Sequence, residues 1–121
     1  MKGVPVNAAE VIQFIEEHHV ELRYDIFNRR FEAVWPHRAV ATGSSVIEAV
    51  ASLAKCVAEY EAAHEAMIAA VAALDACQPA GHLNPEFTRL FHAKFAAQRE
   101  FNLVATRLGK GLRDRGGESW V

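Results

Sequence analysis

Cysteine is nearly absent, with only Cys56 and Cys77 in the chain. Both fall on what reads below as one helix, where their separation is roughly 30 Å. A disulfide needs Cα atoms about 6 Å apart, so an intrachain bridge is excluded while that helix is intact. The expectation for both thiols is that of small buried hydrophobes. Long apolar runs are missing too. The longest, Ala66 to Leu74, falls well short of the ~20 residues a membrane-spanning helix needs. The opening segment MKGVPVNAAE has no apolar stretch of signal-peptide length. Reduced thiols and no leader make the cytoplasm the expected compartment. Net charge is small, −2, so no global field draws the chain to nucleic acid or to an acidic membrane.

The marks of catalysis are also missing. No Gly-x-Ser-x-Gly elbow occurs. Gly109-Lys110-Gly111 lacks both the upstream glycine and the following Ser or Thr of a phosphate-cradling loop. Neither cysteine sits in a local Cys/His arrangement. Glu16-x-x-His19 and Glu61-x-x-His64 have the spacing of di-iron carboxylate bundles. Such a site needs two further inward glutamates on other helices, and Glu86 and Glu100 are the only ones on the last helix. Surface acids and separate histidines explain the pattern better, so no metal, cofactor or enzymatic activity is expected.

What remains is ordinary globular composition, 51% apolar and 23% charged over 121 residues, enough for one domain with its own core. Asn7 is a good N-cap for a first helix, and Glu10 stands three residues on, where its carboxylate can bond back to the cap. Val6 and Val11 have the spacing of a hydrophobic staple. Val11, Ile12, Phe14 and Ile15 make the apolar face, and the helix is expected to end near His18 or His19, with both histidines in solvent.

Residues 20–27 and 30–35 are rich in β-branched and aromatic side chains, which predicts a hairpin. A two-residue turn at Asn28-Arg29 sets Ile26 against Phe31, Tyr24 against Ala33 and Leu22 against Trp35. Alternation then gathers Leu22, Tyr24, Ile26, Phe31, Ala33 and Trp35 on one apolar face, with Tyr24 and Trp35 buried against helices. Arg23, Asp25, Arg30 and Glu32 take the other face, where Asp25 opposes Glu32 unfavourably but Arg23 and Arg30 lie diagonally and can offset it. Residues 38–42 are read as an optional third strand.

Ser45-Val46-Ile47-Glu48 reads as a capping box, and neither proline nor glycine interrupts the chain from there to Cys77. The helix is therefore about 32 residues and roughly 48 Å long. Val46, Val50, Leu53, Val57, Tyr60, His64, Met67, Val71 and Leu74 follow steps of four and three, a heptad seam whose most polar member is His64. His64 is expected to fix register by a hydrogen bond. After the turn Gln78 to Leu83, Asn84 and Pro85 open a last helix. Its wide apolar face holds Phe87, Leu90, Phe91, Phe95, Phe101, Val104 and Leu108. Gly109 and Gly111 weaken its end, and Gly116-Gly117 should stop it. Residues 46–77 carry five acids against Lys55 alone, while residues 86–115 are basic, as two antiparallel helices would prefer. The expected fold is thus α+β: an α-β-β-(β)-α layer over residues 7–60, extended by a long antiparallel helical hairpin over 45–115 with a tail at 116–121, all in one domain.

Residues 7–60 resemble two families. The helix Ala8-Ala9-Glu10-Val11-Ile12, the strand Phe31-Glu32-Ala33-Val34-Trp35 and the step Ala41-Thr42-Gly43 into Glu48-Ala49-Val50 are similar to the phage ABA sandwich domain. That resemblance covers about half the chain, excludes the last helix, and implies a phage or prophage origin without any chemistry. Gly43-Ser44-Ser45 and Glu48-Ala49 resemble the start of the last helix of the double-stranded RNA-binding domain. That family places lysines there to meet phosphates, and this chain has Val46, Ile47 and Val50 instead, which argues against RNA binding on this surface.

Two surfaces suggest binding. Arg107, Lys110, Arg113 and Arg115 form a cationic stretch able to hold an anion such as a nucleotide, or else a solvated helix end that complements the helix dipole. The helix between Ala66 and Cys77 is apolar or alanine on nearly every side, with Asp75 its one charge. A helix apolar all round is normally buried all round, so Met67, Ile68, Val71 and Leu74 are the expected self-association residues of a two-fold homodimer. Phe27, Trp120 and Val121 have no evident core role. The expected function is that of a non-enzymatic, phage-type accessory protein of the cytoplasm, a phage's host included. It binds a host or defence macromolecule, with a protein partner expected, and self-associates; the alternative is capture of a nucleotide or other anion at the basic segment.

Overall fold

A computed structural model describes residues 4–77 and 85–114, with side chains as far as Lys110. The elements run α1 (Ala8–His18), β1 (Glu21–Asp25), β2 (Arg30–Trp35), β3 (Ala39–Gly43), α2 (Val46–Cys77) and α3 (Pro85–Asp114). The class is α+β, with a three-stranded antiparallel sheet in the order β1-β2-β3. The optional third strand is real. By contacts the chain forms two compact units. One holds the sheet, α1, the first turns of α2 and the last turns of α3, and the other is residues 59–105.

Both local signals for helix starts are present, with one difference of detail. Asn7 accepts from the Glu10 amide at 2.9 Å, and Ser45 Oγ from the Glu48 amide at 3.1 Å. The returning carboxylates reach one residue past the cap. Glu10 accepts from the Val6 amide at 3.0 Å, and Glu48 from the Ser44 amide at 3.2 Å and the Ser44 hydroxyl at 2.9 Å. Each capping glutamate thereby ties down the incoming chain as well as the helix. Val6 is exposed while Val11 is buried, so the staple is not closed. α1 ends on His19, in the left-handed region at φ 54°.

The hairpin differs from the predicted one by two residues. Its pairs are Asp25–Arg30, Tyr24–Phe31, Arg23–Glu32, Leu22–Ala33 and Glu21–Val34, so the loop is Ile26 to Arg29 and Ile26 leaves the strand. The reason lies in the turn and in the charges. The favoured two-residue hairpin turns need positive φ at the first central position, which here would be Asn28, and of the pair only Arg29 has it, at 53°. Asp25 supplies the closure instead. Its carboxylate accepts from the amides of Phe27 at 3.1 Å and Asn28 at 3.2 Å and from the Asn28 side chain at 2.7 Å, with Arg30 Nε 3.8 Å away. The predicted clash of Asp25 with Glu32 is replaced by two complementary pairs, Asp25 with Arg30 and Arg23 with Glu32. A shift of two keeps every side chain on its predicted side, because strand alternation has period two.

The Asn28 hydrogen bonds, with help from Phe27 and Arg30, hold the Asp25 carboxyl below its ordinary value of 3.8. A lowered native pKa means the turn's contribution is complete above that value and is lost as pH falls through the lower native one. Asp25→Ala should accordingly lower the exchange protection of the Phe27 and Asn28 amides, measured against their intrinsic rates, at neutral pH, and the wild type should lose the same protection only on strong acidification. Unchanged exchange in the variant would assign the turn to Arg29 and the flanking strands alone.

β2 is the centre of the sheet unit. Ala33 and Val34 point to opposite faces and neither is exposed at all, so both faces of β2 are covered. Trp35 is buried. The His18 ring stands edge-on to it with centroids 6.0 Å apart, and the Arg38 guanidinium lies 4.9 Å over it. His18 is thus not a solvated end. It stacks on Phe14 at 4.2 Å and donates from Nδ1 to the Phe14 carbonyl at 3.1 Å, linking α1 to β2. In α2, Ala49, Val50, Leu53, Ala54 and Val57 are buried at helical spacing. Gly43 sits where the chain turns into this helix. A Cβ there would come within 2.6 Å of the Ala49 amide nitrogen, so only glycine fits.

Candidate interaction surface

Within residues 59–105, α2 and α3 meet along the predicted seam. Tyr60 and His64 both lie against the Phe101 ring, at 5.1 and 5.3 Å. Phe101 lies about as far from the start of α3 as Tyr60 does from the end of α2, and at 1.5 Å per residue only antiparallel helices bring them level. Along α2, Tyr60, His64, Met67 and Val71 are half-buried and Leu74 is buried. Along α3, Phe87, Leu90, Lys94, Ala97 and Phe101 are half-buried and Val104 is buried, again in steps of three and four. His64 takes its place through aromatic contacts with Tyr60 and Phe101.

Ile68, Phe91 and Phe95 are left out of that seam, at 52%, 39% and 48% exposure. Ile68 follows the seam residue Met67, and Phe91 follows Leu90. In an antiparallel pair, positions that follow the seam on each helix flank it on the same side. The Phe101 contacts set Ile68 level with Phe95, one turn beyond Phe91. Phe91 and Phe95 meet edge to face at 4.8 Å, and Phe87 stacks on Phe91 at 6.0 Å. The hairpin therefore carries an aromatic strip beside one aliphatic side chain. Ala66, Ala69, Ala72, Ala73 and Ala76 are exposed as well. The α2 side of the strip is acidic, with Glu61, Glu65 and Asp75, all exposed. Arg89 and Arg99 are exposed elsewhere on α3. Arg89 is held in a two-pronged contact with Glu86 that pulls the Glu86 carboxyl below its usual range and raises the guanidinium.

Of the four residues expected to self-associate, then, Leu74 is buried within the chain, Met67 and Val71 are half-buried in the seam, and Ile68 stays open. Phe91 and Phe95 join it. A wide apolar face in sequence counts them as core. The signal that separates them is the three-four stepping through Lys94 and Ala97, which puts Phe91 and Phe95 one place off the seam.

The cationic stretch lies only partly within the described residues. Arg107 and Lys110 are exposed on the last turns of α3, Arg113 is on the helix with its side chain outside the described part, and Arg115 lies outside the described residues, as do the turn at 78–84, Trp120 and Val121. Among the described residues no group of three or more His, Cys, Asp or Glu side chains is placed to hold a metal ion. No described helix is long and apolar enough to cross a membrane. Cys56 and Cys77 are unbridged and half-buried.

No family model, curated protein or solved structure matches the chain.

Proposed function

We propose that this chain is a non-catalytic binding module that self-associates through its α2–α3 hairpin and serves a macromolecular partner. The observation that carries the self-association is the strip of Ile68, Phe91 and Phe95, exposed on one side of a hairpin whose seam is already filled. Contiguous exposed aromatic surface is uncommon on a monomer and marks contact sites. A second copy is the occupant best matched to it. With the two hairpins related by a two-fold axis and each α2 lying on the other's α3, four helices close round the strip. The exposed alanines of α2 permit that approach without steric conflict. The phage origin is supported by the resemblance at residues 7–60 alone. Anion capture by Arg107, Lys110 and Arg113 is the weaker reading, since no observation brings these cations round a common point.

Sedimentation equilibrium at micromolar concentration tests the reading. The wild type is expected to associate, and Phe91→Glu with Phe95→Glu to remain folded and to lose the association that the hairpin carries. Both side chains are about half open in one chain, so their replacement costs the monomer little beside the loss at the interface. A wild type that is strictly monomeric, or a double variant that associates as the wild type does, would end it.

A further inference from the structure

The sheet carries a second apolar surface, separate from the hairpin. β1 is an edge strand. All its residues but Asp25 are exposed, Leu22 at 43% and Tyr24 at 52%, and the adjoining turn offers Phe27 at 96%. The opposite edge is different. In β3, Ala39 and Gly43 are buried and the three residues between them half-buried. Edge strands are blunted by proline, bulges, covering elements, short length or charged side chains. β1 has no proline and its pairing with β2 runs without a break, but it is short and carries Glu21, Arg23 and Asp25. Its outer edge admits another strand only in a register that matches those charges.

We propose that β1 pairs antiparallel with β1 of a second copy, across a two-fold axis at Leu22, to make one continuous six-stranded sheet.

The charges select both the occupant and the register. Directly opposite residues of an antiparallel pair share a face. The apolar face of β1 (Leu22, Tyr24) can therefore meet its own kind only if the axis passes through a residue. Of the five residues of β1, an axis at Glu21 or Asp25 sets that carboxylate against itself, which leaves three positions. An axis at Arg23 sets Arg23 against itself and Glu21 against the second copy's Asp25, so every charged pair is repulsive. An axis at Tyr24 sets Arg23 against Asp25, whose carboxylate is already held by Phe27, Asn28 and Arg30, and sets Leu22 against Ile26, which has left the strand. An axis at Leu22 sets Glu21 against the second copy's Arg23 and Arg23 against its Glu21. On the other face Leu22 meets Leu22 and Tyr24 meets Val20. Glu21 and Arg23 are within 3.5 Å in one chain and both are exposed, and Arg23 also stands opposite Glu32 on β2, so the cross-strand pairs add to contacts made within one chain. The ladder stops at Val20, whose amide already donates to the Ile15 carbonyl at 3.0 Å. An unrelated strand would show no reason for this self-complementarity of charge.

The test uses the full chain in the Phe91→Glu, Phe95→Glu background, so that it is read independently of the hairpin. Sedimentation equilibrium of that protein should show residual association. Glu21→Arg alone and Arg23→Glu alone each place like charges opposite across the axis twice, and each should weaken association about tenfold or more. Mixing the two single variants restores opposite charges at both pairs, so the mixture should associate as tightly as the parent. The in-chain contact of residues 21 and 23 is lost in both variants and is not regained on mixing, so a merely structural role predicts no rescue. A mixture no tighter than its components, single variants that associate like the parent, or a parent that shows no association, would each overturn the proposal. Failure of the hairpin reading shows separately, as a double variant that associates through its hairpin as the wild type does and is indifferent to charge at β1.

Discussion

Replacing Trp35 by Ala is expected to cost about 3–5 kcal/mol of stability, a large share of the roughly 5–15 kcal/mol that holds an ordinary domain folded. Trp35 ends the central strand, is buried, and is the point where α1 reaches the sheet through the His18 ring. Its removal leaves a cavity beside His18 and deprives the Arg38 guanidinium of its aromatic platform. The cation–π contribution is the minor part, about 0.5–1 kcal/mol at an exposed site. Trp35→Phe keeps most of the buried area and a ring under Arg38, so it should cost markedly less than the alanine. Urea denaturation of the two variants checks the ordering. If Trp35→Ala unfolds at the wild-type midpoint, the α1–β2 junction contributes nothing and the sheet unit is held together elsewhere.

The second large effect is expected at Leu53, with a loss of about 2–5 kcal/mol on replacement by Ala. Leu53 is completely buried, flanked at helical spacing by Ala49, Val50 and Val57, which are also buried. Leu53→Met conserves volume and should cost less than about 1.5 kcal/mol. The same alanine substitution at Ile68, exposed on the same helix, should barely change monomer stability. Thermal unfolding of the three variants thus separates core from surface along one helix. Equal losses at positions 53 and 68 would mean that Ile68 is covered in solution, which sedimentation would then trace to a second copy or to the chain itself.

The hairpin shows where local information stops. The sidedness of Leu22, Tyr24, Phe31, Ala33 and Trp35 was legible because it depends only on alternation along a strand. The register was not, because it is a competition between the Asp25-centred turn and the charge pairs Asp25–Arg30 and Arg23–Glu32, and alternation is blind to a shift of two. Tyr24 shows the second limit. An apolar side chain on the correct face of a sheet is buried only if an element covers that part of the face, and at the edge strand it is half open.

The candidate surfaces divide in the same way. Sequence by itself determined the helices and their starts, since Asn7, Ser45, Glu10 and Glu48 act on amides within four residues. It determined the seam of α2 too, because three-four stepping is a property of one helix. Only the tertiary structure decided which of the remaining apolar residues stay in water. Phe91 and Phe95 lie beside a seam whose line is set by contact of Phe101 with Tyr60 and His64, and Leu22 and Tyr24 lie on the strand that has a neighbour on one side only. Burial is a relation between elements distant in the chain, and no pattern within a single element contains it.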